Sequence, residues 1–180
     1  MKNRIDLANY FNRLGFKSGA EIGVADGRFS EKLCQANPDL RLYCIDPWDT
    51  YKGNNRGGGE DQQHGNYEIA QERLSRYNTF LYRDTSRDAV THFEDGSLDF
   101  VFIDGNHDFD YVMMDLILWA PKVRKGGIIS GHDYYHFKGS GVIEAVNAYA
   151  DFHKIGVSVI GENRKHNRDD DQPCFWWVKR

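Results

Sequence analysis

One alternation governs what this chain can fold into. Residues 20–24 (AEIGV), 41–46 (RLYCID), 79–83 (TFLYR), 98–104 (LDFVFID) and 127–133 (GIISGHD) are short, apolar or β-rich runs that give way to Gly or Asp. Each reads as a buried strand. Between them lie RFSEKLCQAN, NYEIAQERLSRY, SRDAVTHF and YVMMDLILWAPKV, whose apolar residues recur at helical spacing. In the last of these, Val112, Leu116, Trp119 and Val123 repeat every three or four residues. Strands that are apolar throughout need cover on both sides, so the alternation predicts a parallel sheet with helices on both faces. Right-handed crossovers make it doubly wound.

The end of the chain breaks this rhythm. A helix is predicted over 141–154, then strands over 156–162 and 174–180 with only a polar loop between them. That loop is too short and polar for a crossover helix, so the two strands pair antiparallel. The expected fold class is α/β, a Rossmann-like, mostly parallel seven-stranded sheet with a C-terminal antiparallel hairpin. It occupies a single domain over 1–180. Ile5, Ala8, Phe11 and Leu14 give a short leading helix an apolar face. The polar, Gly-rich stretch 51–66 reads as a loop and a candidate lid. Asp169–Asp171 reads as a solvated turn, and Trp176–Trp177 as part of a core strand.

With 180 residues the chain can bury one good core. Its net charge of −4 offers no general attraction to polyanions, so neither nucleic acid nor an anionic membrane is suggested as a partner. The opening MKNRIDLANYFNRL lacks the apolar core of a signal peptide, and no run approaches a membrane span. Cys34, Cys44 and Cys174 have no metal-like spacing. Reduced thiols and a cytoplasmic location are the expectation, with Cys34 and Cys44 as small core residues.

In open α/β sheets ligands bind beyond the carboxyl ends of the strands. There the first strand opens into GVADG, where Gly23 and Gly27 allow a close approach of backbone to ligand. Glu21 is out of place in an apolar strand unless it meets a polar partner. Asp46 ends the second strand, about twenty residues after the Gly turn, where an acid can accept from both hydroxyls of a ribose. Asp104 ends the fourth strand and His132–Asp133 the fifth. A bland turn or a helix cap would explain any one of these. Together they point to a nucleoside-type cofactor beside a small polar site.

AEIGVADGRFS, CIDPWD and LDFVFIDGNHDFDYVMMDLILWAPKVRKGGIISGHDYY together resemble the class I S-adenosylmethionine-dependent methyltransferases. The resemblance is strongest to a small group with an IDG-x-H strand end followed by GG-x-I-x-GHDY. It spans roughly residues 18 to 150 and departs from the common Gly-rich loop by placing Ala25 at the second glycine. GVADGR also lacks the G-x-G-x-x-G of a dinucleotide site. The resemblance implies that Glu21, Gly23 and Ala25 lie at the methionine part of the cofactor and Asp46 on the ribose, with Asp104 serving both as a cofactor contact and as a catalytic residue. It places Asp84, Thr85 and Ser86 on the adenine side, although Ser86 serves equally as a helix N-cap.

The group is also similar to the catechol-type and macrolide-sugar O-methyltransferases, which hold Mg²⁺ beside the cofactor. The resemblance implies metal ligands at Asp104, His132 and Asp133. It places a general base at His107, oriented by Asp108 or Asp110. An imidazole suits Mn²⁺, Fe²⁺ or Zn²⁺ better than Mg²⁺, and a metal-free site using His107 alone stays open. The implied activity is methyl transfer to an oxygen of a small sugar, polyol or catechol-like substrate. Nitrogen or a macromolecule as acceptor, and a cofactor-binding domain without catalysis, remain as alternatives. A homodimer is expected by analogy.

Overall fold

Strands β1 (Ser18–Ile22), β2 (Arg41–Ile45), β3 (Thr79–Tyr82), β4 (Leu98–Ile103) and β5 (Val123–Gly131) pair in parallel. Strands β6 (Ser158–Ile160) and β7 (Cys174–Val178) complete the sheet antiparallel. In this computed structural model, which describes residues 1–50, 59–161 and 169–180, the strand order is β3-β2-β1-β4-β5-β7-β6. The order reverses between β1 and β4, so the crevice beyond their carboxyl ends is the switch point where such sheets bind ligands.

The helices are α1 (Arg4–Arg13), α2 (Arg28–Ala36), α3 (Glu60–Leu74), α4 (Ser86–Ala89), α5 (Phe109–Trp119) and α6 (Val142–His153). Side chains of β4 alternate between two cores, as the period of a strand requires. Phe100 and Phe102 meet Phe11, Phe29 and Leu33 of α1 and α2. Val101 and Ile103 meet Val112, Leu116 and Trp119 of α5, with Val142 and Val146 of α6. The Phe11 ring stacks on Phe100 at 4.2 Å between centroids and so fixes α1 on the sheet. Phe100→Ala is expected to cost about 3–5 kcal/mol through the cavity it leaves.

Four details differ from the sequence reading. Helix α1 buries Arg4, Leu7, Ala8 and Phe11, whereas Leu14, expected on the apolar face, is exposed. Leu14 is the C-cap of α1, and the chain turns away through Gly15 with φ +72°. The expected loop 51–66 is helical from Glu60 onward, with Glu60 and Asp61 favourably placed in the first turn. Residues 51–58, and the lid reading with them, lie outside the described residues. Strand β5 begins at Val123 rather than at 127, because its register against β4 shifts between Leu98 and Phe100 and accommodates Gly126–Gly127 as an irregularity. Finally, 169–171 is a 3₁₀ turn tied to α1, not a solvated turn. Arg4 Nε donates to Asp170 Oδ1 (2.8 Å) and Asn3 Nδ2 to Asp171 Oδ1 (2.9 Å).

Candidate active site

The crevice is built differently at its two ends. At the β1–β2 end the frame is backbone. Gly23, with φ +88°, donates to Ile45 and lies so close to β4 that a Cβ there would collide with the Asp104 carbonyl. Ala25 takes the left-handed region at φ +48° and Trp48 at φ +43°, conformations that cost a side chain about 1 kcal/mol or more. One carboxylate holds both. Asp46 Oδ2 accepts from the amides of Val24 (2.9 Å) and Ala25 (3.0 Å), and Oδ1 accepts from that of Trp48 (2.8 Å). The Trp48 indole in turn donates to the Ala25 carbonyl at 2.7 Å. Asp46, read as a ribose ligand, therefore locks the loop in this structure.

Behind the loop, Glu21 accepts from the hydroxyl of Ser30 on α2. Burial raises its carboxyl to about 8, against the lowering effect of that bond, so it is largely protonated at neutral pH. The polar partner that a carboxyl in a buried strand requires is thus Ser30.

The β4–β5 end is built of side chains. Asp104 continues the β1–β4 ladder, donating its amide to Ile22 at 2.7 Å. Asp133 adopts φ +56° just past β5, which turns its carboxylate back over the crevice. His107 Nε2 lies 2.9 Å from Asp133 Oδ2 and 3.7 Å from Asp104 Oδ1. Buried His132 places Nδ1 3.3 Å from Asp133 Oδ1 and 3.7 Å from Asp104 Oδ1. Each oxygen of Asp133 therefore faces one imidazole. Burial pushes the His107 imidazole down, but the two carboxylates prevail and raise it to about 9. Burial likewise opposes, and Asp104 and Asp133 outweigh it, for His132, which is also raised. Burial disfavours the Asp133 carboxylate, yet its bonds from His107 and His132 hold it well below the usual carboxylate range. The orienting partners of His107 are thus Asp104 and Asp133, not Asp108 or Asp110. Asp108 precedes α5 without a side-chain capping bond, its amide donating to Asn106 Oδ1 at 2.9 Å.

Asp104, His107 and Asp133 bring three ligand atoms within 4.8 Å of one another, a group that could hold a divalent cation. His107 takes the place in this group that the sequence reading gave to His132, whose ring lies behind, 2% exposed. Two carboxylates and an imidazole suit Mn²⁺, Fe²⁺ or Zn²⁺ and, less well, Mg²⁺.

On the adenine side, Asp84 is exposed. Thr85 caps α4, its hydroxyl accepting from the Asp88 amide and donating to Asp88 Oδ2 at 2.7 Å. The Ser86 hydroxyl donates to buried Asp115 and accepts from the Trp119 indole at 2.7 Å, so it anchors α4 to α5. Three polar residues that organise this region escaped the sequence reading. They are Asp115 inside a helix, Asp170 in a polar loop, and Arg4. The guanidinium of Arg4 lies 3.5 Å from Asp104 Oδ2 and over the Phe29 ring at 4.7 Å. A signal for Arg4 existed: with Leu7, Ala8 and Phe11 it follows the i, i+3, i+4, i+7 pattern of a buried helix face.

A doubly wound sheet with a glycine turn after β1, acids ending β2, β4 and β5, and an imidazole between two of those acids has the class I methyltransferase architecture. A family profile described as a methyltransferase domain matches residues 20–134, and the chain belongs to that family. An uncharacterized protein of Sinorhizobium fredii, y4gI, is 32% identical over 119 residues. The match covers 63% of this chain and only 12% of that protein. Among solved structures, the O-methyltransferase of Bacillus cereus in complex with SAH superposes with a TM-score of 0.69 at 14% identity, covering 97% of this chain and 80% of that one. The O-methyltransferase TomG of Streptomyces achromogenes in complex with SAM gives 0.66 at 16% identity, covering 98% and 80%. Likeness at that identity establishes the fold. Among the described residues no helix is long and apolar enough to cross a membrane.

Proposed function

We propose that this chain transfers the methyl group of S-adenosylmethionine to an oxygen of a small hydroxylated acceptor, a sugar, polyol or catechol-like molecule, with His107 as the base. The observation that carries the reading is His107 itself, gripped by Asp133 at 2.9 Å at the mouth of β4 and β5, beside the glycine loop. The residues fit the cofactor. The loop amides and Asp46 form a rigid turn, and Asp84 and Thr85 stand beside it at the end of β3 for the nucleoside. Arg4 and Asp104 supply charges of both signs.

Chemistry then needs alignment and proton removal. The acceptor oxygen attacks the methyl carbon, the carbon–sulfur bond breaks, and its electron pair returns to sulfur, leaving the thioether S-adenosylhomocysteine. With its imidazole raised to about 9, His107 is largely protonated at neutral pH. In its neutral form it takes the acceptor proton on the nitrogen turned away from Asp133, and the two carboxylates stabilise the imidazolium that results. Turnover should therefore rise with pH through about 9. A divalent cation, where bound, would be held by Asp104, Asp133 and His107 and would acidify the acceptor hydroxyl.

The test joins calorimetry to turnover. Wild-type protein is expected to bind S-adenosylhomocysteine and to methylate at least one acceptor in a panel of sugars, polyols and catechols. His107→Gln should lower turnover by 10²- to 10⁴-fold, the usual range for a general base, with nucleoside affinity unchanged. Binding without turnover on any acceptor would favour a non-catalytic domain. Full turnover by the variant would remove His107 from the mechanism. Repeating both with a chelator and with added Mg²⁺ or Mn²⁺ tests the cation.

A further inference from the structure

The two edges of the sheet are finished differently. Strand β6 closes one edge with three residues, Ser158–Ile160, and no aromatic side chain. The other edge is β3, Thr79–Tyr82, with the sequence TFLY. Exposed edges usually carry a charge, a proline or a bulge that blocks further pairing. β3 has none of these, and its register against β2 is regular from Thr79 to Tyr82. The carbonyls of Asn78 and Tyr82 accept from the amides of Leu42 and Asp46, so they point inward to β2. With the two-residue period of a strand, the amide and carbonyl of Leu81 point outward, away from the sheet. Both faces beside that edge are only partly covered. On one, Tyr43, Phe80 and Tyr82 form a row of rings, with centroids 5.5 Å apart for Tyr43 and Phe80 and 6.1 Å for Tyr43 and Tyr82, and Phe80 is 45% exposed. On the other, Tyr67, Gln71, Tyr77, Thr79 and Leu81 line a cleft of about 330 Å³ between α3 and β3.

We propose that β3 is the seam of a homodimer, in which it pairs antiparallel with the β3 of a second copy about a twofold axis at Leu81. A twofold contact needs a strand that complements itself, and β3 does. Around that axis the amide of each Leu81 meets the carbonyl of the other, so the pair exchanges both hydrogen bonds. Phe80 then lies opposite the partner's Tyr82, and Tyr82 opposite the partner's Phe80, which carries the row of rings across the seam. Cross-strand pairs of this kind are what stabilises a sheet. On the opposite face Leu81 meets its own copy beside the open cleft. No charge opposes a like one, since the partner's Arg83 falls opposite Thr79 and the partner's Asp84 opposite Asn78. A second copy therefore matches this edge better than an arbitrary strand, and one sheet runs through both subunits. β2 and β1 stand between the seam and the β4–β5 end, so pairing leaves His107 clear.

Sedimentation equilibrium of the full chain over a dilution series is the test. The wild type should be a dimer at high concentration and dissociate on dilution. Leu81→Pro removes the outward amide and leaves the bonds to β2 in place, so it should be monomeric throughout. Phe80→Lys, at an exposed position, should raise the dissociation constant by about tenfold through the loss of two aromatic pairs at once. Val159→Lys, on β6, should leave the dimer as in the wild type. Circular dichroism and urea midpoints establish folding; if Leu81→Pro does not fold, Phe80→Lys and Val159→Lys carry the comparison. A wild type that is monomeric at every concentration would overturn the proposal, as would a dimer that Phe80→Lys leaves undiminished. A dimer broken by Val159→Lys and not by Phe80→Lys would overturn it in favour of the β6 edge.

Discussion

The two ends of the crevice solve the same problem with different materials. At the β1–β2 end, main-chain amides are fixed by a single carboxylate, that of Asp46, and side chains contribute little else. At the β4–β5 end, four side chains from two strand ends hold one another, and the backbone supplies only the left-handed turn at Asp133. Amides positioned in a loop are fixed dipoles suited to binding and unable to exchange a proton at neutral pH. Imidazoles between carboxylates can accept and release one. On the proposed reading, the groups used divide the crevice into a binding end and a reacting end. Substitutions at the first end should change stability and affinity, and those at the second should change turnover.

The sharpest break at the binding end is Gly23→Ala. The backbone there has φ +88° and the new Cβ would meet the Asp104 carbonyl, which is backbone and cannot rotate away. Overpacking and a left-handed alanine together should cost roughly 3 kcal/mol or more. Urea denaturation should report that loss, and a variant as stable as the wild type would show that the loop is not locked to β4. Asp46→Asn is a gentler test. The carboxylate accepts three amide bonds, and an amide in its place keeps one acceptor oxygen and turns a donor toward another donor. A loss of roughly 2 kcal/mol is expected, with weaker nucleoside binding because the loop is released. Unchanged stability with lost binding would instead restore Asp46 to the ribose alone.

Much of this arrangement was legible in the sequence because strands buried on both faces leave long apolar signatures, and an Asp or Gly at their ends is conspicuous. Asp104 and His132–Asp133 were therefore readable at neighbouring strand ends, as was the closing hairpin, whereas His107 entered only through the family resemblance and the structure puts it, in place of His132, beside the two acids. Residues 60–66 were not readable as helix, since α3 buries little besides Gln63, Ala70 and Leu74 and so carries no apolar stripe. Arg4 and Asp170 were missed for a related reason. Each is a charged residue in polar company, and only the meeting of α1 with the 169–171 turn pairs them, burying Arg4 while Asp170 stays partly exposed. Asp115 was hidden within a helix whose apolar neighbours drew the attention. Sequence periodicity reports which face is dry, and it cannot report which polar groups are carried into the dry face by long-range contact.

Asp115 sharpens the comparison because it belongs to neither end. Burial raises its carboxyl to about 7, against the lowering effect of the bond from Ser86. The corresponding buried acid on the other face, Glu21, has Arg4, Asp104 and Asp46 for company. The folded-state value of Asp115 lies above that of an unfolded aspartate, near 3.9. The native state therefore holds a proton that the unfolded chain has released. Stability from this group is fully present below the unfolded value and is lost progressively as pH rises through about 7. Between pH 5 and 6 the slope should approach about 1 kcal/mol per pH unit. Asp115→Asn keeps an acceptor for the Ser86 hydroxyl and removes the titration, so the variant should gain on the wild type by about that amount over this interval. Urea midpoints of both proteins at pH 5, 6 and 7 measure the difference directly. Parallel pH profiles would mean that Asp115 is ionised in the folded protein and that a cation, or water, reaches it beneath α4.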